Sequence, residues 1–189
     1  MNYGLSRLWR EGRFKGCNAF FLLTNDTEFE VAPTVAPLLS VLDEHPHVGI
    51  LSPCARRWGE KLLLKQQSTR YFWFIHNNAL MLRRQFMENI CDEDAAETSD
   101  GAGFLFDGNN FRGYGSESEL IAKAYANDWG AAITTRVLAE ENESHLLDKA
   151  DLIKTEGRSE NLRLYVAEGQ AWMRRKYGFN SRWSMQQYV

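Results

Sequence analysis

The side chains with most chemical promise in this sequence are carboxylates at the ends of predicted secondary-structure elements. The run Ala19-Phe20-Phe21-Leu22-Leu23-Thr24-Asn25-Asp26-Thr27-Glu28 passes from an apolar stretch straight into oxygen-bearing side chains. In an open α/β sheet ligands bind beyond the carboxyl ends of strands, so a carboxylate such as Asp26 can hold Mg²⁺ or Mn²⁺ there against a diphosphate. The same residues are good turn formers, and an Asx turn accounts for Asn25-Asp26-Thr27 without any ligand. A second acidic group, Glu117 and Glu119, opens a predicted helix. Acids in a first turn complement the helix dipole by about 0.3–1 kcal/mol with no catalytic role, but a carboxylate within reach of a hydroxyl is also a candidate general base.

The elements that must position these acids follow from the apolar pattern. Helical spacing covers Leu5 to Lys15, ended by Gly16, and Phe20 to Leu23 is continuously apolar, as in a strand buried on both faces. Pro33 precedes a helix over Ala36 to Leu42, His45-Pro46-His47 stops it, and Val48 to Leu51 is a strand. Strand, helix, strand is the crossover order of a parallel sheet. Arg56 to Lys65 reads as a loop or hairpin, Tyr71 to Ile75 as an aromatic strand, and a helix runs through Phe86 and Met87 to Ile90. The acids of Cys91 to Gly103 repel one another, which predicts a mobile loop able to close over a site. Ser116 is the expected N-cap of a helix over 117–127, followed by a strand across Ala131 to Leu138 and a helical end carrying Leu162, Tyr165, Trp172 and Met173.

Composition bounds the partners. At 44% hydrophobic and 13% aromatic the chain can bury a core, and 189 residues suit one domain of roughly 150 residues. A net charge of −3 argues against nucleic acid as a partner, although Arg174-Arg175-Lys176 is basic enough to touch anionic lipid or a polyphosphate. Cys17, Cys54 and Cys91 fit neither a disulfide framework nor a zinc spacing, which points to a reducing compartment. No apolar stretch approaches the roughly 20 residues that cross a bilayer. The expected location is the cytoplasm, with peripheral membrane contact through the basic cluster. No Gly-x-Ser-x-Gly, Walker loop or Gly-x-Gly-x-x-Gly occurs.

The order of parts resembles the inverting family 2 glycosyltransferases, which have the GT-A fold. Leu22 to Glu28 is similar to the family's metal-binding segment, Asn2-Tyr3-Gly4-Leu5 to its Asn-x-Gly element, and Phe74 to Arg84 to the segment bordering the acceptor. Tyr114-Gly115-Ser116-Glu117-Ser118-Glu119-Leu120 resembles the acidic motif that supplies the base, and Met173 to Gly178 the late basic-aromatic-Gly element. Two positions depart from the pattern: Thr24 stands where an acid or Asn is common, and Ser116 at the first acidic position.

The resemblance implies an α/β domain with a mixed, mostly parallel sheet flanked by helices, and a sugar moved from a nucleoside diphosphate sugar to a hydroxyl of a glycan or lipid-linked acceptor, as in polysaccharide biosynthesis. Asp26 and His145 would hold Mn²⁺ or Mg²⁺, imidazole suiting Mn²⁺ better. Thr24, Asn25 and Asp26 would face the donor, and Glu117, with Glu119 in reserve, would be the base. Trp73, His76 and Asn77 would meet the acceptor, an aromatic face packing on a sugar ring. In this division 1–70 is a remnant of the donor and metal part, 71–150 the acceptor and catalytic part, and 151–189 a helical extension. The strands and loop that grip the nucleoside in the family precede its Asn-x-Gly element, so the resemblance implies a chain truncated at its amino end. The alternative is a non-catalytic assembly module of the same fold, a homo-oligomer or the partner of a complementary N-terminal half-domain.

Overall fold

The computed structural model of the chain describes residues 1–30, 32–56, 64–75, 79–110, 113–142 and 158–188. Its sheet grows from the apolar runs. Strands β1 (Ala19–Leu23), β2 (Thr27–Phe29), β3 (Val48–Ala55), β4 (Thr69–Tyr71), β5 (Ala79–Arg83) and β6 (Gly130–Glu141) form one mixed sheet in the order β1-β5-β3-β6-β2, with β4 also on β6. The expectation of a mostly parallel sheet is corrected here: β3 with β6 is the parallel pairing, and the other four are antiparallel. The reason is β5, which runs antiparallel between β1 and β3 and separates the two strands that the strand-helix-strand order predicts as neighbours. Among the described residues β1 is therefore an edge strand: Phe20 is buried, Ala19, Phe21 and Leu22 are half-buried, and Leu23 is exposed, rather than all being enclosed on both faces.

One irregularity shapes the carboxyl end of the sheet. Pro53 faces Thr134 while the next residue, Cys54, faces Leu138, so Thr135, Arg136 and Val137 are extra residues on β6. A bulge bends its strand and increases local twist. Arg136 forks onto both carboxylate oxygens of Glu44, and the Ser68 amide donates to the Thr135 hydroxyl at 3.0 Å, which pins the bulge on both sides. The bend is needed geometrically. In a flat sheet β1 and β2 would lie about 19 Å apart, four spacings of about 4.8 Å. Leu23 and Thr27 are four residue steps apart and span at most about 15 Å. The last residues of β6 must therefore lean over the ends of β3 and β5 to pair Thr27 with Glu141 and Glu28 with Glu140.

Helices cover both faces. Helix α2 (Val35–Glu44) packs Leu38, Val41 and Leu42 on Val48, Leu51, Met81 and Ala132. On the other face lie α1 (Asn2–Arg10), α3 (Arg84–Ile90) and α5 (Ser116–Ala126), with Phe14, Phe20, Ile50, Phe86, Phe104 and Ile121 in one core. Ile50 and Leu51 go to opposite faces, as strand alternation requires. The predicted helix over Leu5 to Lys15 instead starts at Asn2 and stops at Arg10, and a 3₁₀ turn at Phe14–Gly16 carries the fully buried Phe14. Asn2 accepts from the amides of Leu105 (3.2 Å) and Phe106 (2.9 Å), tying α1 to that segment.

The segment Cys91 to Gly103 differs from the predicted mobile loop. It contains a short helix, α4 (Glu93–Ala96), and two of its acids meet backbone amides: Asp92 caps α4, accepting from the Ala95 amide at 3.1 Å, and Asp100 accepts from the Ala102 amide at 3.0 Å. The predicted strand Tyr71 to Ile75 leaves the sheet after Phe72, whose amide donates to Ala131, and Ile75 is buried in the α5-side core. The C-terminal unit consists of α6 (Arg158–Leu164), a π turn over Tyr165–Gly169, α7 (Gln170–Tyr177) and α8 (Arg182–Tyr188). Trp172, Met173 and Met185 form its own small core against Ala122 of α5. Among the described residues no helix is long and apolar enough to cross a membrane.

Candidate functional site

Asp26 lies in the turn between β1 and β2, at the end of the sheet where β1, β3 and β6 finish. Its backbone carbonyl accepts from the Asn142 amide at 2.8 Å, and the Thr24 and Thr27 hydroxyls lie 3.0 Å apart, so the turn is held at both ends. One carboxylate oxygen of Asp26, Oδ1, is buried and has no hydrogen-bond partner among the described residues. A buried acceptor without a donor is costly, and a hard cation is one way to satisfy it. Glu28 stands across the ladder from Glu140, a like-charge pairing that Asn142 donating to Glu28 and Arg56 at 3.8 Å from Glu140 temper. Among the described residues no group of three His, Cys, Asp or Glu side chains surrounds a common point.

Glu117 reaches the same end of the sheet by a different route. Helix α5 feeds β6 through a short connection, and the Tyr125 hydroxyl, near the helix end, donates to Phe72 and to Ala131 at the start of β6. The helix thus runs antiparallel to β6, and its first turn points toward the carboxyl ends of β1, β3 and β6. The expected Ser116 cap is replaced by Gly115, whose φ of +82° lies in the left-handed region that glycine occupies at least cost. Ser116 is the first helical residue and is buried.

The two acids of this turn have separate surroundings, because residues two apart on a helix do not share a face. Glu119 points inward, with a side chain only 2% exposed. It accepts from Lys176 Nζ at 2.8 Å and from the Tyr177 hydroxyl, and Lys123 lies 3.8 Å away. Lys176 also donates to Asp107 Oδ2 at 2.8 Å, an oxygen that the Trp172 indole reaches at 3.0 Å. Burial alone would push the Asp107 carboxyl up, but the hydrogen bonds from Lys176, Trp172 and the Asn109 amide more than offset it and hold the group well below the usual carboxylate range. Burial and the bond to Glu119 push the Tyr177 hydroxyl up to about 12. This network fastens α7 to α5.

Glu117 is not tied down in that way. Its nearest cation among the described residues is Arg182, at 3.8 Å, and burial raises its pKa while the Arg182 charge pulls it back. The Arg182 guanidinium sits over the ring of Phe74 (4.5 Å), beside Trp183 (4.8 Å) and Tyr165 (5.7 Å). A desolvated carboxylate beside one arginine, whose guanidinium lies among aromatic rings, is therefore what the first turn of α5 presents. The sequence alone places Tyr165 on a C-terminal helix but gives no role to Arg182 and Trp183, because the tail from Asn180 onward lacks clear periodicity. The Arg-Trp pair next to an isolated acid becomes visible only once α8 is docked.

The remaining sequence candidates divide. Thr24 and Asn25 stay beside Asp26 in the turn. Trp73 stacks on Tyr125 (4.6 Å between ring centres), eight residues along α5 from Glu117, or about 12 Å at 1.5 Å per residue. It is thus at the other end of the helix, and its neighbour Phe74 is the ring that joins Glu117 through Arg182. His76, Asn77 and His145 lie outside the described residues. Burial pushes the Cys91 thiol up to about 12, far from a nucleophile's range. Neither a protein-family model nor a curated protein nor a solved structure matches the chain.

Proposed function

We propose that the chain is a GT-A-type inverting glycosyltransferase domain that moves a sugar from a nucleoside diphosphate sugar to a hydroxyl of a glycan or lipid-linked acceptor. The observation that carries this reading is the presence, at one end of the sheet, of two carboxylates in opposite states: Asp26 with an unengaged buried oxygen, and Glu117 desolvated in a helix first turn. The Asp26 oxygen fits a divalent cation, Mn²⁺ or Mg²⁺, with Thr24 and Asn25 beside it. Such a cation, when bound, supplies positive charge to a departing diphosphate.

The chain's own residues then have distinct tasks. Glu117 takes the proton of the acceptor hydroxyl, a role that burial favours by raising its pKa. Arg182 keeps Glu117 ionised and orients it. Glu119 is engaged by Lys176 and Tyr177 and acts as a structural anchor, so the base is assigned to Glu117. Further strands of a GT-A-type sheet would join the outer edge of β1, which has no partner strand among the described residues. That same apolar edge favours the second reading, an assembly module whose β1 pairs with another polypeptide.

Thermal unfolding with Mn²⁺ and a nucleoside diphosphate tests the proposal. The expected result is a rise in melting temperature, by ligand linkage, that Asp26→Ala abolishes. No rise in the unsubstituted chain counts against the transferase and leaves the assembly module.

A further inference from the structure

The C-terminal unit has an outer face that neither the sheet nor the candidate site uses. Residues 158–188 hold six basic and two acidic side chains, net +4 in a chain of net −3, so the rest carries −7. Leu162 is the most exposed of the large apolar side chains among the described residues, at 65%, and Val166 is 48% exposed. Two exposed apolar residues one turn apart on a positively charged helix are not explained by packing.

The helix geometry aligns them with free cations. Leu164, Gly169, Trp172 and Met173 face inward, and the five-residue step from Leu164 to Gly169 is the repeat of the π turn. The extra residue of that turn keeps positions 162, 166, 170 and 174 in line on the opposite side. Close docking of the turn is possible because residue 169 is glycine: a Cβ there would lie 2.8 Å from the Cβ of Tyr114. Arg174 and Arg175 are exposed, and no ion pair among the described residues engages either. Arg163 is held by Glu160, and Lys176 turns inward to Glu119 and Asp107. The outer ridge therefore reads as Leu162, Val166, the half-buried Gln170 and Arg174, with Arg175 one position round the helix from it, and neither arginine has an ion pair among the described residues.

We propose that this ridge docks the protein peripherally on an anionic lipid surface, with Leu162 and Val166 entering the headgroup boundary and Arg174 and Arg175 on lipid phosphates. A helix with an apolar strip and flanking arginines lies in a membrane interface by this division of labour. A soluble polyanion would engage the arginines but would leave Leu162 and Val166 in water, so the bilayer is the occupant that uses the whole ridge. With few anchors the binding is reversible and salt-sensitive. The proposal is independent of the chemistry assigned to Asp26 and Glu117.

Cosedimentation of the full chain with phosphatidylcholine vesicles, with or without one-third phosphatidylglycerol, tests it. The expected result is binding to the anionic vesicles alone, at least 10-fold weaker in 0.5 M NaCl. Arg174→Glu with Arg175→Glu should weaken it at least 10-fold. Leu162→Ser with Val166→Ser should weaken vesicle binding several-fold while binding of inorganic polyphosphate stays unchanged. All four positions are exposed, and unchanged melting temperatures confirm intact folding. Absence of binding to anionic vesicles, or retention by the arginine variant, overturns the proposal. Full binding by the Leu162 and Val166 variant also overturns it, in favour of a soluble polyanion site.

Discussion

Replacing Lys176 with Met removes the cation that two carboxylates share. Glu119, with only 2% of its side chain exposed, would keep Lys123 at 3.8 Å and the Tyr177 hydroxyl, while Asp107 would keep the Trp172 indole. Taking one partner from a fully buried pair costs about 3–5 kcal/mol. Lys176 is 36% exposed and Glu119 retains a second lysine, so roughly half of that, about 2 kcal/mol, is expected. For a chain of this size each kcal/mol moves the midpoint by about 2–4 °C, which gives a drop of about 4–8 °C at pH 7.

Adding Glu119→Gln to Lys176→Met removes the stranded charge and should recover about half of the deficit, a non-additivity that a double-mutant cycle reads directly. Calorimetry of the four proteins at pH 7 supplies the numbers. A Lys176→Met cost below about 0.5 kcal/mol, or strict additivity with Glu119→Gln, refutes the picture of Glu119 as a buried anchor.

Other outcomes follow from the same geometry. Glu117→Gln should leave the melting temperature within about 1 °C while transfer to an acceptor hydroxyl falls by about 10²–10⁴-fold, and unchanged turnover removes Glu117 as the base. Arg182→Gln deprives Glu117 of its neighbouring charge, so the acidic limb of the pH–rate profile should move to higher pH, which initial rates between pH 5 and 9 would record. Asp107 has a depressed folded pKa, so it stabilises above the ordinary carboxylate range and loses that contribution as pH falls through its folded value. Urea melts of Asp107→Asn should show a deficit at pH 7 that narrows below about pH 4.

Much of the scaffold was legible because its elements are local. The apolar runs at 19–23, 48–51 and 131–138 are strands, and the helices at 35–44, 84–90 and 116–126 fall near their predicted places. Strand pairing was less legible. Val48 to Leu51 carries the same pattern whether its neighbour is β1 or β5, and the insertion of antiparallel β5 is decided by a chain segment about 30 residues away. The acids of Cys91 to Gly103 suggested repulsion, but each capping carboxylate needs only one nearby amide, which sequence reading does not register.

The candidate site was half legible. Asp26 could be placed because it ends an apolar run, and Glu117 with Glu119 because they open a helix. What separates those two glutamates is their partners Lys176, Tyr177 and Arg182, which lie 57 or more residues along the chain. Trp73 and Phe74 are adjacent and chemically alike, yet the chain leaves the sheet between Phe72 and Ile75, so Trp73 goes to Tyr125 and Phe74 to Arg182.

Line broadening of backbone amide resonances by Mn²⁺ bears most directly on the proposed proximity of Asp26 and Glu117. With Mn²⁺ at Asp26, the amides of Asn25 to Thr27, of Asn142 and of the Glu117 turn should broaden, those of Asn18 and Asp43 at the far end of the sheet should stay sharp, and Asp26→Asn should erase the effect. Broadening centred on the acids of 92–100 that persists in Asp26→Asn, or an unperturbed Glu117 turn, would contradict the account.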